Sequence, residues 1–156
     1  MSGMTTTKTF RHILVPIDFG EPSEEAVDLA LALAARFDAS VTLLHVVSMP
    51  PYYYSAYAEG LAFPVEEMET RAKAALDDAV AKANAKYPRT RGSVTAGHPP
   101  EQILAAITSS GADLVVMGTH GRRGVSRVLL GSVAEKVVRH SPVPVLTTGA
   151  RHVAPK

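Results

Sequence analysis

The residues best suited to chemistry lie between Gly118 and Ser132. They run Gly118-Thr119-His120-Gly121-Arg122-Arg123-Gly124, then Val125 to Leu130, then Gly131-Ser132. Glycines lack a Cβ, so they reach positive φ and let main-chain N–H groups come close to an anion. Gly131-Ser132 stands where a helix is expected to begin, and there unpaired N–H groups and the helix dipole favour negative charge. Arg122, Arg123 and Arg127 add positive charge nearby. The chemistry this suits is recognition of a polyphosphate. The turn contains neither G-K-[ST] nor G-x-G-x-x-G, so it is neither a P-loop nor a dinucleotide fingerprint. A plain structural turn is the other reading: Ser132 and Glu135 spell S-x-x-E, a capping box. The two roles are compatible, because the same hydroxyl can turn to a phosphate when one is bound.

These residues need a frame, and the hydrophobic pattern supplies one. His12 to Ile17 is a short apolar run that reads as a buried strand, closed by Asp18-Phe19-Gly20. Glu21-Pro22-Ser23 opens a helix, with Pro22 tolerated in its first turn. Ala26, Ala30, Leu33, Ala34 and Phe37 make its apolar stripe. Val41 to Val47 is a second strand, nearly all apolar, as befits a strand covered on both faces. Ser48 to Pro64 is rich in Pro, Tyr and Gly and shows no period, so it reads as a surface loop. Its Tyr52, Tyr53, Tyr54 and Tyr57 suit covering a ligand, meeting a partner, or packing on their own domain. Val65 to Lys86 is an amphipathic helix marked by Val65, Met68, Ala72, Leu76, Ala79 and Ala83. Ser93 to Gly97 is a third strand. Pro99 starts a helix carrying Ile103, Leu104 and Ile107, with Gly111 at its C-terminal cap. Ala112 to Met117 is a fourth strand, Ser132 to His140 a helix, and Val143 to Thr148 a last strand that Pro144 puts at a sheet edge.

Strict alternation of strand and helix implies an α/β fold, a single open doubly wound sheet of five parallel strands with right-handed crossovers and helices on both faces. We expect one domain over residues 1–156, its core spanning about 10–149. Such sheets bind ligands outside the carboxyl ends of their strands, where strand order reverses. Asp18, His45-Val46, Gly97-His98 and the Gly118 turn follow the first four strands. Asp18 suits a magnesium or ribose ligand, the reading that the glycine turn opposite favours; the other reading is an acid favoured by the dipole at a helix start. His120 is a candidate general acid or base, or simply an exposed loop histidine. His45 and His98 fall near the rim, where polar packing accounts for them.

Composition narrows the classes. With 156 residues, 46% hydrophobic content and a net charge of +1, the chain has a core but no global field that would attract nucleic acid. The absence of cysteine rules out disulfides and thiolate metal sites. The six histidines have no metal-ligand spacing. No apolar run approaches the ~20 residues of a membrane span, and Met1 to Lys8 has no signal-peptide core. A cytoplasmic protein, without membrane or nucleic-acid partners, is the expectation.

The spacing Gly118-x2-Gly121-x9-Gly131-Ser132 resembles the nucleotide-binding signature of the ATP-binding branch of the universal stress protein family. The likeness runs from Arg11 to Thr148 and includes Val15-Pro16-Ile17-Asp18, Leu44-His45-Val46 and Gly97-His98-Pro99. It implies strand order 3-2-1-4-5, with the reversal between strands one and four. It further implies that Pro16, Ile17 and Asp18 line the adenosine end of ATP, with Asp18 near the ribose or a phosphate-bound Mg2+. Val46 would meet the adenine, and Met117 and Gly118 would support base and sugar. Gly121, Arg122, Gly131, Ser132 and Val133 would hold the phosphates. Ile17 departs from the pattern, standing where the family commonly has a hydroxyl residue. The family also commonly dimerises through its last strand, here 143–148, whose Val143, Val145 and Leu146 are apolar. The function expected is that of an ATP-binding stress-response or signalling protein whose nucleotide state governs an unknown protein partner or its own assembly. The alternative is a slow ATP hydrolase or nucleotidyl-transfer enzyme.

Overall fold

A computed structural model describes residues 8–62, 64–119 and 130–149. The elements in chain order are β1 (His12–Pro16), α1 (Glu21–Phe37), β2 (Ser40–Ser48), α2 (Tyr53–Ala58), α3 (Val65–Lys86), β3 (Thr90–Gly97), α4 (Pro99–Ser110), β4 (Leu114–Gly118), α5 (Ser132–His140) and β5 (Val145–Thr148). The five strands form one sheet in the order β3-β2-β1-β4-β5, and every pairing is parallel. The expected α/β architecture and strand order both hold.

Strand side chains alternate between faces with period two, and the core divides accordingly. Ile13, Val15, Val41, Leu43, Leu114 and Val116 face α1 and α3, joining Ala26, Ala30, Ala34, Leu76 and Ala83. Leu14, Leu44, Val115 and Met117 face the other way, onto Ile103 and Ile107 of α4 and Ala134 and Val137 of α5. Strands β1, β2 and β4 are apolar on both sides because helices cover both sides.

At the amino ends of the strands, polar groups are satisfied within the fold. Asp113 accepts hydrogen bonds from the N–H groups of Arg11 and His12, at 2.9 to 3.1 Å, and so fixes where β1 begins. Buried His12 donates from Nδ1 to the Ser110 carbonyl at 3.0 Å, and its Nε2 lies 2.7 Å from the Thr42 hydroxyl.

Several boundaries differ from the sequence reading, four of them instructively. β1 stops at Pro16, and β4 runs one residue further, to Gly118. β3 starts at Thr90 because it pairs with β2 over its whole length, although Arg91, Gly92 and Ser93 are exposed and carry no apolar signal. β5 begins only after Pro144, which lacks an N–H, while its carbonyl accepts from Val115 N–H. The segment expected to be a loop over 48–64 contains the short helix α2, closed by Tyr53 N–H to Pro50 O and Leu61 N–H to Ala56 O, both 2.9 Å. Six residues are too few to show a helical period. Gly111 caps α4 in the left-handed conformation, as expected.

Candidate functional site

The order of the sheet sends the chain from β1 towards β2 on one side and brings β4 in on the other. The carboxyl ends of β1 and β4 therefore flank the point of reversal, where a doubly wound sheet opens a crevice. Three local structures meet there.

The first is the turn after β1. Asp18 Oδ1 accepts from Gly20 N–H at 2.9 Å and from the Ser23 hydroxyl at 2.6 Å, while Asp18 N–H donates to Ser23 Oγ at 3.0 Å. Oδ2 takes part in none of these bonds. Asp18 thus performs the structural role weighed for it, an acid closing the turn into α1, and still has one oxygen outside that turn. Ser23, itself buried, is a site residue that the sequence reading passed over. Its signal was present as a short hydroxyl in the first helical turn, five residues after the acid. Phe19 adopts φ 64°, which is unusual for a bulky residue. Its ring packs on that of His45, with centroids 4.5 Å apart, and His45 Nδ1 donates to the Ile17 carbonyl at 2.8 Å. His45 therefore braces this turn, as the polar-packing reading expected.

The second is the end of β4. A Cβ on Gly118 would lie 2.9 Å from Pro22 Cβ and 3.2 Å from the Pro22 main chain. Glycine is needed here so that the first turn of α1 can rest on the strand. Thr119 N–H then donates to Thr148 O at 2.8 Å, continuing the ladder to β5.

The third is the start of α5. Gly131 N–H donates to Thr119 O at 2.7 Å, which returns the chain to the end of β4. Gly131 is the N-cap, and its carbonyl accepts the first helical bond from Glu135 N–H at 2.9 Å. The N–H groups of Ser132, Val133 and Ala134 consequently have no intrahelical acceptor. The capping box expected of Ser132 and Glu135 is not formed. Ser132 lies one residue inside the helix, no side chain caps Gly131, and Glu135 pairs with Arg139 one turn on.

The structure brings together most of the residues singled out from sequence. Pro16 ends β1, buried; Asp18 and Gly118 lie at the neighbouring strand ends. Buried Met117 and half-buried Val46 and Val133 share one apolar cluster on the α4/α5 face. Ile17 is the exception. Its side chain joins the α1/α3 face, where it is 7% exposed, while its N–H donates to Leu44 O and its carbonyl accepts from His45 Nδ1, so it turns no side chain to the crevice. Gly121, Arg122 and His120 lie outside the described residues, as do Arg123 and Arg127. Gly97, at φ 147°, passes over the Gln102 side chain, and His98 caps α4 with its ring 3.7 Å from Glu101. Among the described residues, no cluster of three or more His, Asp or Glu could hold a metal ion, and no helix is long and apolar enough to cross a membrane.

The model of the universal stress protein family matches residues 9–148 of the chain. The chain belongs to the universal stress protein family. Universal stress protein MJ0531 of Methanocaldococcus jannaschii is 33% identical over 138 residues, covering 88% of this chain and 81% of its own length. The universal stress protein in the QAH/OAS sulfhydrylase 3′ region of Thermus aquaticus is 34% identical over 140 residues, covering 88% of this chain and 97% of its own. Among solved structures, universal stress protein UspA from Lactobacillus plantarum superposes with a TM-score of 0.74 at 25% identity, covering 90% of this chain and 99% of that one.

The contact between Gly118 and Pro22 makes a direct prediction for this universal stress protein. Gly118→Ala places a methyl group where neither the strand nor the proline ring can yield easily. It is expected to lower stability by about 1–3 kcal/mol in urea unfolding. A loss under about 0.5 kcal/mol would show that α1 does not depend on this close approach.

Proposed function

We propose that this universal stress protein binds ATP, as one domain, in the crevice at the carboxyl ends of β1 and β4, and that its nucleotide state governs a partner protein or its own assembly. The observation that carries the reading is the meeting of the Asp18 turn, Gly118 and the start of α5 at one point. The N–H groups of Ser132, Val133 and Ala134 suit the phosphates, since a helix N-terminus favours anions. Val46, Met117 and Val133 supply an apolar wall for the adenine. Pro16, Ile17 and Asp18 flank the adenosine end, and Asp18 Oδ2, outside the bonds of its own turn, suits the ribose or a hydrated Mg2+. For Gly121 and Arg122 the phosphate role rests on the resemblance of the glycine spacing.

Two structures of this fold support the ligand class. A universal stress protein solved in complex with cAMP shares 24% identity with this chain at a TM-score of 0.63, and one from Archaeoglobus fulgidus in complex with dAMP shares 20% at 0.67. At those identities the likeness is one of fold, so it supports only the capacity of the fold to hold an adenine nucleotide.

Calorimetry with purified protein checks the reading. ATP should bind, GTP should bind at least about ten-fold more weakly, and Asp18→Ala, which also removes the acceptor that closes the turn into α1, should weaken ATP about ten-fold or more. Equal affinity for ATP and GTP would overturn the adenine assignment, and absence of any ATP binding would overturn the whole reading.

We propose, as the second part of the same reading, a homodimer formed through β5. Among the described residues this strand pairs with β4 on one side only, and Leu146 is 39% exposed. An apolar edge strand invites pairing with another chain. Sedimentation at micromolar concentration should give a dimer, and Leu146→Arg should shift it to monomer. A monomer in the unmutated protein would overturn it.

A further inference from the structure

The chain from His45 to Arg71 holds no Lys, Arg or His between those two residues. Its charged groups are Glu59, Glu66, Glu67 and Glu69, and it carries Tyr52, Tyr53, Tyr54 and Tyr57. Tyr53 is the anchor. It packs with Val65 and Met68 against Val47, Met49 and Ala72, so α2 sits on the first turns of α3. The other rings face outwards: Tyr52, Tyr54 and Tyr57 are 62%, 71% and 72% exposed, and Leu61 is 59% exposed. The Tyr53 ring meets Tyr54 edge-on at 5.5 Å and lies near-parallel to Tyr57 at 6.3 Å, so the aromatic surface is continuous. It is also shaped by main-chain bonds, Met49 N–H to Gly97 O at 3.1 Å and Glu59 N–H to Ser55 O at 3.0 Å among them. An exposed apolar patch of this kind on a folded domain marks an interaction surface, and Tyr is enriched at protein interfaces.

The charge around the patch selects the partner. Tyrosine rings present a negative face to cations. The neighbouring carboxylates act in the same direction, and among the described residues Glu67 is paired, to Arg71. We propose that α2 and the first turns of α3 form a docking surface for an arginine-rich segment of a partner protein. A guanidinium both stacks flat on a tyrosine ring and bonds a carboxylate through two N–H groups, which an ammonium does not. Phosphate-bearing partners, nucleic acid and anionic membrane alike, meet like charge here. The attraction is local, since the chain as a whole carries a net charge of +1. The surface follows β2, so it lies at the same end of the sheet as Asp18 and Gly118.

The test uses the full chain and a nona-arginine peptide at physiological ionic strength. Calorimetry gives the affinity, and tyrosine emission reports the place, because four of the five tyrosines are on this segment and the chain has no tryptophan. Saturable binding with a change in tyrosine emission is expected, with nona-lysine at least about three-fold weaker. Tyr54→Ser with Tyr57→Ser should weaken nona-arginine about ten-fold while leaving the unfolding midpoint unchanged. Glu59→Gln with Glu66→Gln, which leaves the rings in place, should also weaken it. Undiminished affinity in both double variants, or no binding of nona-arginine to the unmutated chain, would overturn the proposal. So would self-association abolished by the tyrosine variants, which would make a second copy the occupant. Binding to phosphatidylserine vesicles lost in those variants would make the occupant a membrane and overturn it equally.

Discussion

Pro22 rests on the last residue of β4, and it can do so because Gly118 carries no side chain. Much of the carboxyl end of the sheet follows from that approach. It sets the first turn of α1 over the strand, and with it the Asp18–Ser23 pair that closes the preceding turn. On the far side of Gly118, Thr119 bonds to Thr148 and receives the Gly131 N–H, so β5 and the start of α5 are referred to the same point. Two helix N-termini and an acid thereby converge where the strand order reverses. Their convergence is a packing result that precedes any ligand.

The two faces of the sheet contribute unequally to that crevice. Val46, Met117 and Val133 belong to the α4/α5 side, while Ile17 and Phe19 belong to the α1/α3 side. The turn after β1 anchors itself on the α1/α3 side by these apolar side chains, and the Asp18 carboxylate ties it to the start of α1. Phe19 pays for this with a left-handed backbone, offset by its packing on His45. Such an outlier persists where its surroundings over-determine it.

Much of this was legible in the sequence, for identifiable reasons. Strands buried on both faces are continuous apolar runs, so β1, β2 and β4 stood out. Pro144 marked β5 as an edge, and Gly111 marked the end of α4. What escaped was whatever depended on partners distant in sequence. The early residues of β3 are polar and are strand only because β2 lies beside them. Helix α2 is held by a tyrosine packed on α3, a contact without local periodicity. At the site, S-x-x-E suggested a cap at Ser132, but the bond from Gly131 to Thr119 starts the helix one residue earlier. Gly118 was legible as a glycine of the turn; that α1 requires it was not, because Pro22 is far from it in the chain.

The nucleotide site proposed for this universal stress protein is the meeting point of the Asp18 turn, Gly118 and α5. Amide chemical shifts of the labelled protein, recorded during titration with ATP, test it most directly. The account predicts that the largest changes fall on Gly20, Thr119, Gly131, Ser132 and Val133, with Val46 among those that move. Changes confined to the amides of α1 and α3 that face each other, Val27, Leu31, Ala79 and Ala83, would place the nucleotide on the opposite face of the sheet and contradict it.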